Sequence, residues 1–214
     1  MFVCKRALVL GFMLAIAPMT AMADTSQPTG KPVSIDGFRS AHFGMDQAET
    51  LKAIKTDFDL SGSAVHTQVN PVQDTNALSI TVPALVPNSG PAVIDYVFGY
   101  KSKTLSEVNI TWAASDPVNS PAVLLHTGAA LQSYFQGASV SYKDVAGNKL
   151  LSNGSLLLFR GADAAGHVVV LVLGGNVQRD DKDKKTQITP TELTLAYGAD
   201  PAHPDVFHFA PGAF

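Results

Sequence analysis

The chain predicts an α+β fold: an antiparallel sheet covered on one face by two helices, built from two tandem α-then-β units. Three observations predict it. Two helix starts with capping signatures lie about 75 residues apart, at Asp46 and Ser120. Each is followed by runs of β-branched and aromatic residues that alternate with polar ones, the period-two signature of a half-buried strand. No helical segment separates the strands within a unit, so neighbours connect by hairpins and pair antiparallel.

Before the first unit, residues 1–23 carry the three parts of an export signal. Lys5 and Arg6 form a positive n-region, "ALVLGFMLAIAP" supplies an apolar core, and "AMA" at 21–23 offers small residues for cleavage before Asp24. The apolar run falls short of the roughly 20 residues needed to span a bilayer. The expected location is therefore the periplasm or the exterior, after cleavage following Ala23. Cys4 is the chain's one cysteine and precedes the apolar core, so it leaves with the signal and the remaining chain has neither disulfide nor thiol chemistry. Cleavage leaves 191 residues, enough to bury about 70% of the surface of the unfolded chain. It also leaves 13 basic against 18 acidic residues, a net charge of −5, which argues against a nucleic-acid surface of clustered Lys and Arg.

Residues 24–34, "DTSQPTGKPVS", read as a flexible Pro/Gly tether. The first unit spans 35–113. Asp46 and Glu49 form a capping box, and Ala48, Leu51, Ile54 and Phe58 give one apolar stripe on a helix of about 12 residues. Phe43-Gly44-Met45 ahead of it reads as staple chemistry, with Gly44 free to take an unusual backbone angle. Strands follow at 65–69 and 77–82 around the turn initiator Asn70-Pro71. A hairpin then pairs "AVIDYVFGY" (92–100) with "TLSEVNITW" (104–112) across "KSK".

The second unit, 114–198, opens with Ser120 as cap and Pro121 at the first helical position. Its helix carries Leu124, Leu125, Ala129, Leu131 and Phe135, weakened by Gly128 and closed by Gly137. Strands are expected in "SVSYKDV", at 155–161, at 167–175 and at 191–198, with "NVQRDDKDKKTQ" as a charged loop. Residues 199–214 form a Pro-broken aromatic tail.

The motif Phe43-Gly44-Met45-Asp46-Gln47-Ala48-Glu49, followed by "YVFGYKSKTLSEVNITW", resembles helix-plus-antiparallel-sheet modules of bacterial envelope proteins. Among these are the β-lactamase inhibitor protein fold, with its two tandem helix-and-sheet repeats, and the SmpA/OmlA-type envelope lipoproteins. It is also similar to exported proteobacterial proteins of uncharacterised function that share the helix-start motif. The resemblance covers residues 36–112 and implies binding or assembly through a sheet surface. The lipoproteins' anchoring Cys has no counterpart here, and no functional residue carries over.

Catalytic signatures are sparse. His42, His66, His126, His167, His203 and His208 form no HExxH pair, and "HPDVFH" (His203, Asp205, His208) sits in the Pro-broken tail without the fixed geometry that zinc requires. In "RDDKDKK" (179–185) Lys neutralises the carboxylates, and neither the glycine nor the distal Glu of a calcium loop is present. No GxSxG elbow occurs, and Gly174-Gly175 lacks a phosphate-cradling helix start. Neither metal nor cofactor is expected. The aromatic row Tyr96, Phe98 and Tyr100, with Trp112, supplies the candidate binding residues, read either as core beneath a helix or as an exposed face offering contact area with polar handles.

The resulting expectation is a noncatalytic periplasmic binding or envelope-assembly module. It would use a sheet face or the 179–186 loop against another envelope protein. Two alternatives stand beside it: a small hydrolase with dispersed residues such as His126, His167 or paired carboxylates, and a carrier of a small apolar ligand.

Overall fold

The computed structural model describes residues 33–138, 141–180, 185–209 and Gly212. The expected export signal, most of the tether, the tip of the charged loop and the last residues of the tail lie outside the described residues. In chain order the elements are β1 (Gly37–Phe38), β2 (Ala41–His42), α1 (Gln47–Phe58), a short 3₁₀ turn (Gly62–Ala64), β3 (His66–Asn70), β4 (Thr75–Val82), β5 (Ala92–Phe98) and β6 (Leu105–Ala113). The second half follows with α2 (Pro121–Gly137), β7 (Lys143–Ala146), β8 (Lys149–Leu150), β9 (Leu156–Ala162), β10 (Val168–Asp180) and β11 (Lys185–Gly198).

The strands β3 to β11 form one continuous sheet in the order β3-β4-β5-β6-β11-β10-β9-β7, with β8 also pairing β9. Every pairing is antiparallel. The last strands of the two units, β6 and β11, lie side by side at the centre, and each unit's meander runs outward from there. A helix precedes each meander, as the tandem plan predicts.

α1 begins as the sequence dictates. Asp46 accepts from the Glu49 amide at 2.8 Å, and the Glu49 carboxylate accepts from the Asp46 amide at 3.0 Å. The helix ends where Asp59 takes a left-handed conformation at φ 56°. Its buried face differs from the predicted stripe: Thr50, Ala53 and Ile54 are buried, while Ala48 and Leu51 face solvent. Thr50 is tolerated inside because its hydroxyl donates to the Asp46 carbonyl at 2.8 Å, which leaves no polar atom unmet. In α2 Leu124 and Phe135 are buried as predicted, but Leu125 is exposed and Thr127 and Gly128 take the inward positions. Gly128, which weakens the helix by propensity, is there for proximity: a methyl group at that position would press on Leu158 and Leu193.

Both helices and the β1–β2 hairpin pack on the same side. On that covered face Ile94, Ile110, Leu195 and Leu171 lie directly across from one another on four successive strands, each 3% exposed or less. Burying one such side chain stabilises the fold by about 1.5–3 kcal/mol. One core cluster runs from Ile54 and Ile80 in the first unit to Phe159 and Val169 in the second.

Each terminus crosses to the other unit. Residues 33–45 lie over the second: the Val33 amide donates to Ser141 O, Ile35 N to Asp163 Oδ2, and the Phe38 and Phe43 rings contact Tyr197 and His167. The tail lies on the first: Tyr100 N donates to Asp205 O, and Phe207 N to Gln73 O. These two straps bind the units to one another.

The expected charged loop is largely strand. β10 and β11 continue past the rest of the sheet as a two-stranded ribbon, their registers shifting at Gly174/Gly175, where a side chain on Gly175 would strike the Thr189 carbonyl. Alternation failed to reveal it because the stretch is rich in charged and polar residues that read as a loop. Among the described residues no helix is long and apolar enough to cross a membrane.

Candidate functional site

The aromatic row falls on the covered face. Tyr96 and Trp112 are wholly buried and Phe98 is 1% exposed, all within the core cluster. The reading of these three as a partner-binding surface is corrected: they alternate toward the helices and stay out of a partner's reach. The reason is register. Tyr96 lies opposite Leu78 and Val108, so its strand partners share the helix side. Burial and then the nearby Asp57 carboxylate push the Tyr96 phenol well above its usual pKa, and neither its hydroxyl nor the Trp112 indole N–H has a hydrogen-bond partner among the described residues. Tyr100 sits beyond the end of β5, half-buried, with its ring 5.5 Å from Phe207 of the tail. It acts as a seat for the strap.

The surface left free is the opposite side of the sheet. Its rows follow from the same registers. Ser79, Asp95, Asn109, Ala196, Val170 and Arg160 form one row across six strands, and Thr81, Val93, Thr111, Thr194 and Val172 form another. Apart from buried Ser79, these side chains are half-buried or exposed and mix valine and threonine with carboxylate, amide and guanidinium groups. Alternation predicted this division; which face remained open depended on where the helices landed.

Two recesses open on that side. The first, about 490 Å³, lies at the end of the sheet where β5 turns into β6. Val97, Val170 and Ala196 supply apolar wall from the open face, and residues 199–206 close the other side. The strap is held by the Asp205 carboxylate, which accepts from the Lys101 and Ser102 amides at 2.9 Å each. Those two donations hold the Asp205 carboxyl below the usual carboxylate range. Gly99 lets the tail approach, since a methyl group there would collide with the Asp205 carboxylate.

The second recess, about 520 Å³, crosses β3 to β6. It is polar: Gln68, Asn70, Gln73, Asn109 and Thr75 contribute neutral groups, and Asp95 and Glu107 contribute charge. Asn70 also shapes the wall locally, its side chain accepting from the Val72 and Gln73 amides and fixing the β3–β4 turn. Local patterning had no means of singling out Asp95 and Glu107. They are 12 positions apart and meet only through the hairpin register.

The dispersed hydrolase residues do not assemble. His126 is exposed on α2. His167 stands at the β9–β10 turn, its Nδ1 3.2 Å from Asp163 Oδ2 but out of hydrogen-bonding alignment, and its ring is against Phe43. No hydroxyl is hydrogen-bonded to it among the described residues. In "HPDVFH" Asp205 is committed to the turn amides and His203 pairs with Asp200 at 3.3 Å. Among the described residues no three His, Cys, Asp or Glu groups gather as a metal would require.

Among the described residues the molecule is thus an α+β protein whose nine-stranded antiparallel sheet is covered on one side and open, with two recesses, on the other. Comparison with protein-family models, with curated proteins and with solved structures finds no match to this chain.

Proposed function

We propose that the chain is a noncatalytic periplasmic binding or envelope-assembly module that engages another envelope protein through the open face of its sheet. The observation that carries this reading is the polar recess crossing β3 to β6, on the side that neither helix nor the N-terminal hairpin covers. Half-buried valines and threonines flanking it add apolar contact area, and the signal-like residues 1–23 favour export. The test is photo-crosslinking in living cells from Asn109, on the open face, against Tyr134, 72% exposed on α2. A discrete adduct from Asn109 but not from Tyr134 is expected. No adduct under several growth conditions, or the same adducts from both positions, overturns the reading.

The carrier reading has its own observation, the valine-walled recess beneath the strap, which falls in the size range of small-molecule pockets. An environment-sensitive apolar dye that binds the protein and is lost on Asp205→Ala would favour it. Equal dye binding by both proteins counts against it.

A further inference from the structure

Resting on the open-face reading, we propose that the polar recess receives an extended segment of the partner carrying Lys or Arg at alternate positions, with two cations seated against Asp95 and Glu107. Four observations converge. Asp95 on β5 stands directly opposite Asn109 on β6, and Glu107 is two residues before Asn109 on the same face. The two residues are therefore diagonal neighbours, about 7–8 Å apart along the backbone by sheet geometry. One oxygen of Asp95, Oδ1, is buried without any hydrogen-bond partner, and Glu107 is half-buried with neither ion pair nor side-chain hydrogen bond among the described residues. A carboxylate oxygen withdrawn from water and unmet by a donor is an unfavourable state that a donor cation relieves.

The remaining wall selects the sign of the ligand. Gln68, Asn70, Gln73 and Asn109 are neutral, and among the described residues no Lys, Arg or His lines the recess. A phosphate or an acidic peptide would meet repulsion from both carboxylates with no cation in the wall to offset it, and an apolar ligand would seal the Asp95 oxygen further from water. Amide groups around two carboxylates suit the several donors of an ammonium or guanidinium group.

Spacing selects the form of the ligand. In an extended strand, residues i and i+2 project to one side about 6.6 Å apart, twice the rise per residue. That is close to the diagonal spacing of the two residues that carry the carboxylates, so alternate basic side chains would offer one cation to each. A single small cation would satisfy only one.

The test uses the exported protein and three short labelled peptides of alternating sequence, Thr-Lys, Thr-Gln and Thr-Glu, read by fluorescence anisotropy. The Thr-Lys peptide is expected to bind, to weaken as salt rises from about 50 to about 300 mM, and to bind about tenfold less tightly to the Asp95→Asn, Glu107→Gln double variant. Glu192→Gln, exposed on the same face outside the recess, should leave binding unchanged. No binding of Thr-Lys, equal binding of Thr-Lys and Thr-Gln, or indifference to the double variant overturns the inference. Spermidine competing as tightly as the peptide also overturns it, in favour of a small-cation site. The Asn109 crosslink separates the two levels: an adduct there without any preference for Lys leaves the open-face reading standing, and no adduct removes it.

Discussion

Asp163 is the residue on which the N-terminal strap hangs. It is 5% exposed, at the β9–β10 turn, and its carboxylate accepts three backbone N–H groups: Ile35 at 2.9 Å, Ala165 at 2.8 Å and His167 at 3.0 Å. Replacing it by alanine removes all three. A hydrogen bond to a charged group contributes about 1.5–3 kcal/mol, and a buried donor left unmet costs about 1–3 kcal/mol. The Ala165 and His167 amides lie at a turn where water replaces the lost acceptor, whereas Ile35 N is buried. The expected loss for Asp163→Ala is therefore about 3 kcal/mol, dominated by the Ile35 bond. At about 2–4 °C per kcal/mol for a chain of this size, the melting temperature falls by about 9 °C. Asp163→Asn keeps one acceptor oxygen for the turn but turns an amide donor or a shared oxygen toward Ile35, for a loss of about half that size. Urea unfolding measures both, with the slope unchanged if the unfolded state is unaltered. Amide exchange at Ile35 reads the strap directly and should accelerate more than exchange in β5 or β6. A stability change below about 0.5 kcal/mol, or an Ile35 amide as protected as before, would refute the assignment of Asp163 as the anchor.

Acid should weaken the same anchor. Burial alone would raise the Asp163 carboxyl, but the donations from Ile35, His167 and Ala165, together with the nearby His167, outweigh it and hold it below its usual value. A depressed carboxyl contributes stability that is complete above the unfolded-state carboxylate value and disappears as pH falls through the folded value. Acid titration of the wild type should therefore lose more stability than that of Asp163→Asn. Gly99→Ala should detach the C-terminal strap, seen as faster exchange of the Tyr100 and Phe207 amides while β5 and β6 remain protected. Asp46→Ala removes the cap of α1 at about 1 kcal/mol, and urea unfolding will show it. Trp112, the one tryptophan, should emit as a buried indole resistant to iodide quenching, and ligands on the open face should leave that emission in place.

Much of the fold was legible because its determinants are local. A capping box needs residues three apart, and Asp46 and Glu49 are; a Ser-Pro cap needs neighbours, and Ser120 and Pro121 are adjacent. Alternation along 92–98 and 107–112 divided each strand into two faces, and those residues stand as divided; at the register shift by Val97 and Phe98 the pattern slips, and Leu105 is buried where alternation placed Ser106. Helix facing was less legible. Thr50 and Thr127 lie inward where hydropathy placed leucines, because helix facing answers to the sheet's shape, and Thr50 can satisfy its own hydroxyl from the helix backbone. The short β1–β2 hairpin went unread, since two-residue strands leave no periodic trace.

The sequence by itself determined the α+β class, the order of the two helices and the longer strands, the antiparallel pairing and the partition of β5 and most of β6 into an apolar and a mixed side, because all of these follow from spacings of a few residues. Tertiary structure alone decided which side stays open, and with it the fate of the aromatic row. Tyr96, Phe98 and Trp112 went to the core because both helices settled on their side, an outcome of long-range burial that no local spacing encodes. It also brought Asp95 beside Glu107 and tied Ile35 to Asp163 across 128 positions of chain. Those contacts depend on register and closure of the whole sheet, which exist only once the chain has folded.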